Sequence, residues 1–177
     1  MPSFGSPRGD VLYLVVCAAE PARATPDLVA ALQGDGWEVC VVTTPSARRW
    51  VDVDALAELT GHDVRTEMRG PDDPPFEPFG DALVVVPATF NTLNKLAAGI
   101  NDTLALGLTN EAIGTPGVPV VVVPWCGPAL RAHPAHARSL TLLADAGVTT
   151  VPVDDTATPT PLVGAIRVAL DRPARKA

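Results

Sequence analysis

Aromatic side chains are scarce in this chain, 5% of 177 residues against 47% hydrophobic residues in all, so its core must be built from Val, Leu and Ala. Cysteine is scarce as well. Cys17, Cys40 and Cys126 are an odd set with no CxxC pair, and the first two lie inside apolar runs, which points to buried thiols. No stretch of about 18 apolar residues occurs, and the opening Met-Pro-Ser-Phe-Gly-Ser lacks a signal-peptide core, so a soluble cytoplasmic protein is expected. Cations are the minority, 13 Lys and Arg against 20 Asp and Glu, for a formal charge of -7. That argues against a general nucleic-acid binder, which needs a basic patch for phosphates, and favours small ligands or protein partners. GxGxxG, GxxxxGK[ST] and GxSxG are all absent, which removes support for nicotinamide and nucleoside-triphosphate chemistry. His62, His133 and His136 have no metal-ligand partners at a suitable spacing, so no metal is expected.

What is present alternates between apolar runs and helical patterns. Residues 1–10, rich in Pro and Gly, read as a loose leader to a single domain over 11–172, with a polar tail at 173–177. Val11–Cys17 is a buried strand ending in the small turn Ala18-Ala19-Glu20-Pro21; Thr25-Pro26-Asp27 then caps a helix running to about Gln33. Trp37–Thr43 is the second strand, and Thr44-Pro45-Ser46 opens a helix from Ala47 toward Leu59. A short edge strand is expected from Gly61 to Met68, then a Pro-rich loop over Gly70–Phe79. After the strand Ala82–Val86, the apolar positions Leu93, Leu96, Ala97, Ile100, Leu104 and Leu108 predict one packed helix face. Val118–Val123 is the most hydrophobic strand, followed by a helix over about Ala129–Ala146, a short strand at Val148–Val151, a Thr/Pro loop and a last helix at Leu162–Leu170. This order predicts an α/β fold, a three-layer, doubly wound parallel sheet.

Four strand ends, near Cys17, Thr44, Pro87 and Pro124, carry small or hydroxyl residues. Each turn alone reads as a helix cap. Together on one sheet edge they suit a phosphate and a planar ring, because ligands of open α/β sheets collect where strands end and helix N-termini begin. Asp72-Asp73 and Asp154-Asp155 read as solvated turn residues, and Ser139 lacks a nearby base. No catalytic group is visible from the chemistry of the residues alone.

Pro87-Ala88-Thr89-Phe90-Asn91-Thr92 resembles the P-A-[ST]-A-N-T loop of the homo-oligomeric flavin-containing cysteine decarboxylases, and Lys95, Ala97-Ala98-Gly99-Ile100 and Asp102 resemble its K-[IV]-A-x-G-[IL]-x-[DN] continuation. That flavoprotein family includes phosphopantothenoylcysteine decarboxylase and peptidyl-cysteine decarboxylases, with flavin prenyltransferases as more distant relatives. The resemblance implies a flavodoxin-like (Rossmann-like) fold binding FMN between subunits of a homotrimer, or of a dodecamer of trimers. It implies that Cys17, Ala18 and Ala19 form the first turn, that Thr44, Ser46 and Ala47 meet the FMN phosphate region, and that Thr89, Phe90, Asn91, Thr92 and Trp125 line the flavin.

The departures concern the chemistry. The family's histidine, about eight residues before the Asp that opens the central strand, falls on Asp73, followed by Pro74 and Pro75. Its clamp P-x-M-N-x-x-M-W falls on Pro124–Arg131, where Cys126 and Gly127 replace Met and Asn as substrate-clamp candidates, and Leu130 and Arg131 replace Met and Trp. No cysteine follows Cys126, which argues against the coenzyme A pathway role. The resemblance therefore implies oxidative decarboxylation of a peptide's C-terminal cysteine, or of a small thiol, to an enethiol. The alternative is an FMN-binding carrier, sensor or assembly partner without that activity; a flavin prenyltransferase fits less well, since no basic or glutamate cluster surrounds the clamp.

Overall fold

The computed structural model of the chain describes residues 3–5, 10–152 and 159–170, the last three-residue start (159–161) as backbone only. The acidic pair Asp154-Asp155, most of the Thr/Pro loop and the polar tail lie outside the described residues. Strands β1 (Val11–Val16), β2 (Glu38–Thr43), β3 (Ala82–Ala88), β4 (Val120–Pro124) and β5 (Thr149–Thr150) form one parallel sheet in the order β2-β1-β3-β4-β5. This is the flavodoxin-like doubly wound order.

The reason these runs become central strands is that both faces are covered. All six residues of β1 are buried, and side chains alternate between two cores. Tyr13, Val15, Leu83, Val85 and Val122 join the core under helices α3 (Phe90–Ala97), α4 (Leu104–Gly114) and α6 (Pro134–Asp145). Leu12, Leu14, Val84 and Val121 join the opposite core under α1 (Thr25–Gly34), α2 (Val53–Thr60) and α7 (Pro159–Leu170). Buried Val and Leu side chains contribute roughly 1.5–3 kcal/mol each, which is how a core poor in aromatics holds.

Four helices differ from their sequence reading. Thr25 lies inside α1 rather than at its cap, and its Oγ1 donates to Ala22 O at 2.6 Å, closing a 3-10 turn over Glu20–Ala24. The segment after Thr44 is a 3-10 turn, Pro45–Arg49, and α2 begins only after Asp52 caps it by accepting from Ala55 N at 3.1 Å. The single helix expected across Leu93–Leu108 is two. Gly99 takes φ 67°, a conformation open to glycine, Lys95 pairs with Asp102 at 2.5 Å across the break, and Thr103 caps α4, so Ile100 stands exposed. Pro134 likewise divides the helix expected from Ala129 into the short α5 (Pro128–Arg131) and α6.

The edge strand expected at Gly61–Met68 reduces to one bridge between Val42 and Arg65. Arg65 is nonetheless structural. Its Nη1 donates to Tyr13 Oη at 3.0 Å, its Nη2 donates to Glu77 O at 2.6 Å, and its guanidinium lies 4.6 Å from the Phe76 ring centroid. Tyr13 Oη in turn donates to Pro78 O at 3.0 Å, so the Pro-rich loop is fastened to the middle of β1. Burial, above all, raises the Tyr13 pKa, keeping it a neutral donor. At the start of β3, Gly80 approaches Tyr13 so closely that a Cβ would lie 2.6 Å from its Cδ2 and 2.8 Å from Phe4 Cε1. Phe4, within the segment expected to be a loose leader, is buried there and packs on Tyr13 with ring centroids 5.6 Å apart.

Candidate functional site

The connections after β1 and β3 leave the sheet on opposite faces, α1 toward one core and α3 toward the other. A crevice therefore opens between the carboxyl ends of these neighbouring strands, the switch point at which open α/β sheets bind ligands. Cys17 N donates to Pro87 O at 3.3 Å and joins the two strand ends. Thr89 caps α3, with its Oγ1 accepting from Thr92 N at 3.4 Å and lying 3.1 Å from Thr92 Oγ1. Thr92 Oγ1 is also 3.3 Å from Cys17 Sγ, so a buried polar chain runs from the first turn to the third.

Cys17 thus turns inward. Its thiol is buried, burial pushes its pKa up against the smaller opposing effect of the Thr92 hydrogen bond, and it is a packing thiol rather than a nucleophile at the mouth. Ala18 and Ala19 remain half-buried in the tight turn, where Ala19 N donates to Cys17 O at 3.0 Å. On the β2 side, Thr44 N donates to Val16 O at 3.0 Å, Ser46 is exposed and Ala47 is buried. Thr43 and Thr66 hydroxyls meet at 2.7 Å beneath this turn. On the β4 side, Trp125 N donates to Ala88 O at 2.8 Å, bringing half-buried Trp125 and Cys126 alongside the β3 turn. Gly127 is exposed, and Arg131 Nη2 donates to Cys126 O at 3.0 Å. Phe90 is half-buried and Asn91 exposed at the start of α3.

The sheet edge therefore collects the first-turn, Thr44–Ala47, Thr89–Thr92 and Trp125–Gly127 residues that the sequence singles out. The donor set fits a flavin phosphate and ring: hydroxyls and backbone N–H groups surround the crevice, and no carboxylate interrupts the Thr44–Ala47 or Ala88–Thr92 turns. Glu20 is exposed and pairs with Arg23 at 3.4 Å. Asp73 stands apart. It is exposed and accepts from Gly70 N at 2.6 Å through Oδ2, closing its own turn. Ser139 Oγ donates to Asn94 Oδ1 at 2.7 Å and fastens α6 to α3, a structural task. A cavity of about 500 Å³ lies elsewhere, lined by Met68, Arg69, Phe76, Leu104, Leu108 and Glu111, and takes in none of the crevice residues. Among the described residues no cluster of acidic, His or Cys side chains can hold a metal, and no helix is long and apolar enough to cross a membrane.

One neighbour of the crevice, His133, is read from the sequence only as a histidine without metal-ligand partners, and the structure gives it two contacts. His133 meets Phe90 edge to face, ring centroids 5.6 Å apart at 79°, and its Nδ1 accepts from Ala135 N at 3.1 Å to cap α6. A polar residue directly before Pro134 signals the cap, since Pro at the first helical position marks a helix start, but not the contact with Phe90.

The protein-family model described as Flavoprotein matches residues 7–169. Among curated proteins, the coenzyme A biosynthesis bifunctional protein CoaBC of Bacillus subtilis (strain 168) is 30% identical over 126 residues, 68% of this chain and 30% of that protein. CoaBC of Thermococcus kodakarensis is 27% identical over 145 residues, 79% of this chain and 36% of that protein. The chain spans about a third of the length of these curated relatives. Among solved structures, the FMN-dependent cysteine decarboxylase TvaF from thioviridamide biosynthesis superposes with a TM-score of 0.73 at 29% identity, over 89% of this chain and 95% of that one. The FMN-dependent cysteine decarboxylase SpaF gives 0.72 at 26% identity, over 90% and 97%. A PPC decarboxylase mutant complexed with pantothenoylaminoethenethiol gives 0.76 at 21% identity, over 91% of this chain and 98% of that one, a likeness of fold.

Proposed function

The chain belongs to the Flavoprotein family, and from that premise we propose that it binds FMN in the β1–β3 crevice and oxidatively decarboxylates the C-terminal cysteine of a peptide to an enethiol. The observation that carries this reading is the Thr89-capped turn after β3, joined through Thr92 to the end of β1 and free of carboxylates. Thr44, Ser46 and the Ala18 N–H of the Cys17–Ala19 turn would hold the phosphate; Thr89, Phe90, Asn91, Thr92 and Trp125 would lie along the ring, with Ala47 supporting the β2 turn. FMN supplies the two-electron acceptor, which leaves the protein to bind, orient and manage protons. The fold neighbours TvaF and SpaF, named as FMN-dependent cysteine decarboxylases, support the substrate class. Self-association as a homotrimer or a dodecamer of trimers, with flavin between subunits, and a cytoplasmic site of action belong to the same proposal.

A second reading, FMN binding without decarboxylation, is favoured by one observation: Asp73, at the place of the family's histidine, is tied into its own turn, and the clamp amide is replaced by Gly127. Purified protein incubated with FMN and a peptide ending in Cys separates the two. A yellow protein that removes about 46 mass units from the peptide, CO₂ and two hydrogens, carries the first reading. Bound flavin with no mass change leaves the second, and loss of the same mass from pantothenoylcysteine but not from the peptide moves the substrate to the coenzyme A precursors. No flavin absorbance after FMN addition overturns both.

A further inference from the structure

His133 packs against Phe90 of the β3 turn, and its chemistry is set by its own helix. Because Nδ1 accepts the Ala135 N–H at 3.1 Å, the neutral imidazole carries its hydrogen on Nε2. Nε2 has no partner among the described residues, and the side chain is exposed. The ring is steadied edge to face against Phe90, the residue that follows the cap of α3. The result is a fixed donor at the crevice rim.

The surroundings favour an anion. In a chain of charge -7, no acidic residue occurs between Ala82 and Asn101 or between Ala112 and Ala144, the stretches that hold the β3 and β4 turns. Those stretches contain Lys95 on α3, Arg131 on α5, and His136 and Arg138 on α6 beside His133. Lys95 is paired with Asp102 and Arg131 donates to the Cys126 carbonyl, and His133 is the member of this set whose ring packs directly on a residue of the β3 turn.

We propose that His133 is the residue of this chain that recognises the substrate's carboxylate, donating from Nε2–H to a carboxylate oxygen over the loop Thr89–Thr92. The inference rests on the flavin reading above. The Gly127 position has no side chain to offer an amide, and a donor reached from the next turn serves the same anion without any proton transfer.

The test uses FMN-saturated protein and a redox-inert probe, a short peptide ending in Ser, as the free acid and as the C-terminal amide, with binding read from the bound-flavin spectrum. Wild type should prefer the acid by about tenfold or more, the range of a hydrogen bond to a charged group. His133→Ala should lose that preference, His133→Gln should keep part of it through its amide N–H, and His136→Ala should keep it. In the proton NMR spectrum the acid should shift the His133 imidazole and leave His62, which pairs with Glu38 at 3.0 Å, in place. Survival of the preference in His133→Ala, its loss in His136→Ala, or an unmoved His133 resonance overturns the inference while the flavin reading stands. Wild type that takes up FMN but shows no acid preference does the same. Wild type that takes up no FMN overturns the flavin reading, and this inference falls with it.

Discussion

The turns after β3 and β4 lie side by side, joined by the Trp125–Ala88 hydrogen bond, yet they are held in opposite ways. After β3, Thr89 caps the helix, Thr92, Leu93 and Leu96 are buried, and the polar chain to Cys17 lies under the surface. After β4, residues 127–134 are exposed, α5 is four residues long, and Leu130 is 46% exposed. The first turn is where the sequence keeps the family wording, and the second is where it departs. The difference has a physical cause. In the β3 turn two of the positions that would touch a cofactor, the capping Thr89 and the buried Thr92, also hold the fold, so changing them costs stability as well as binding. Residues of the β4 lip carry little of the fold, and substitutions there alter what is recognised without unfolding the protein.

The sharpest way to break that comparison is a pair of truncations. Leu93→Ala should destabilise by about 2–5 kcal/mol, the cost of a cavity beneath a buried leucine, while Leu130→Ala should stay within about 0.5 kcal/mol; urea unfolding of both measures it. Equal losses would mean that the lip is as structural as the loop. Thr89→Ala removes the α3 cap, with an expected cost of about 1 kcal/mol in the same urea unfolding and weaker binding when FMN is titrated in.

The cysteines probe the contrast from a different side. A thiol reagent applied to folded protein should modify half-buried Cys126 first and leave Cys17 and Cys40, within the sheet, unmodified, as peptide mapping would show. Burial pushes the Cys40 thiol from 9.0 up to about 11, so the folded chain retains a proton that the unfolded chain gives up. The stabilisation this gives is fully present below about pH 9 and is lost as the pH rises through about 11. Thermal melts across that window should fall less steeply for Cys40→Ala than for wild type. The smallest effect is expected at Asp73→Ala. Only the exposed Gly70 turn depends on its carboxylate, so stability should move by no more than about 0.5 kcal/mol and FMN affinity should not change.

The central strands were legible because an apolar run such as Val120–Val123 has few alternatives to a doubly buried strand, whereas the edge strand expected at Gly61–Met68 had no such run behind it. Helix breaks were less so. The periodicity of Leu93–Leu108 continues through Ile100 by coincidence, and it took Gly99 and the Thr103 cap to divide it. The Thr89–Thr92 turn stands out by its wording, and its two hydroxyls meet at the sheet edge. Two features had no local signal at all: the inward turn of Cys17 toward Thr92, and the approach of His133 to Phe90. Both depend on elements distant in sequence being packed together, which periodicity does not encode.

The fastening of the Pro-rich loop to Tyr13 has a consequence for the order of folding. Its hydrogen bonds span 52 residues from Arg65 to Tyr13 and 65 from Tyr13 to Pro78, so the entropy of closing those long segments must be met before either bond contributes. Tyr13 comes within reach of them only once β1 has paired with β2 and β3. The loop Gly70–Phe79 should therefore be among the last parts of the chain to gain protection from proteolysis during refolding.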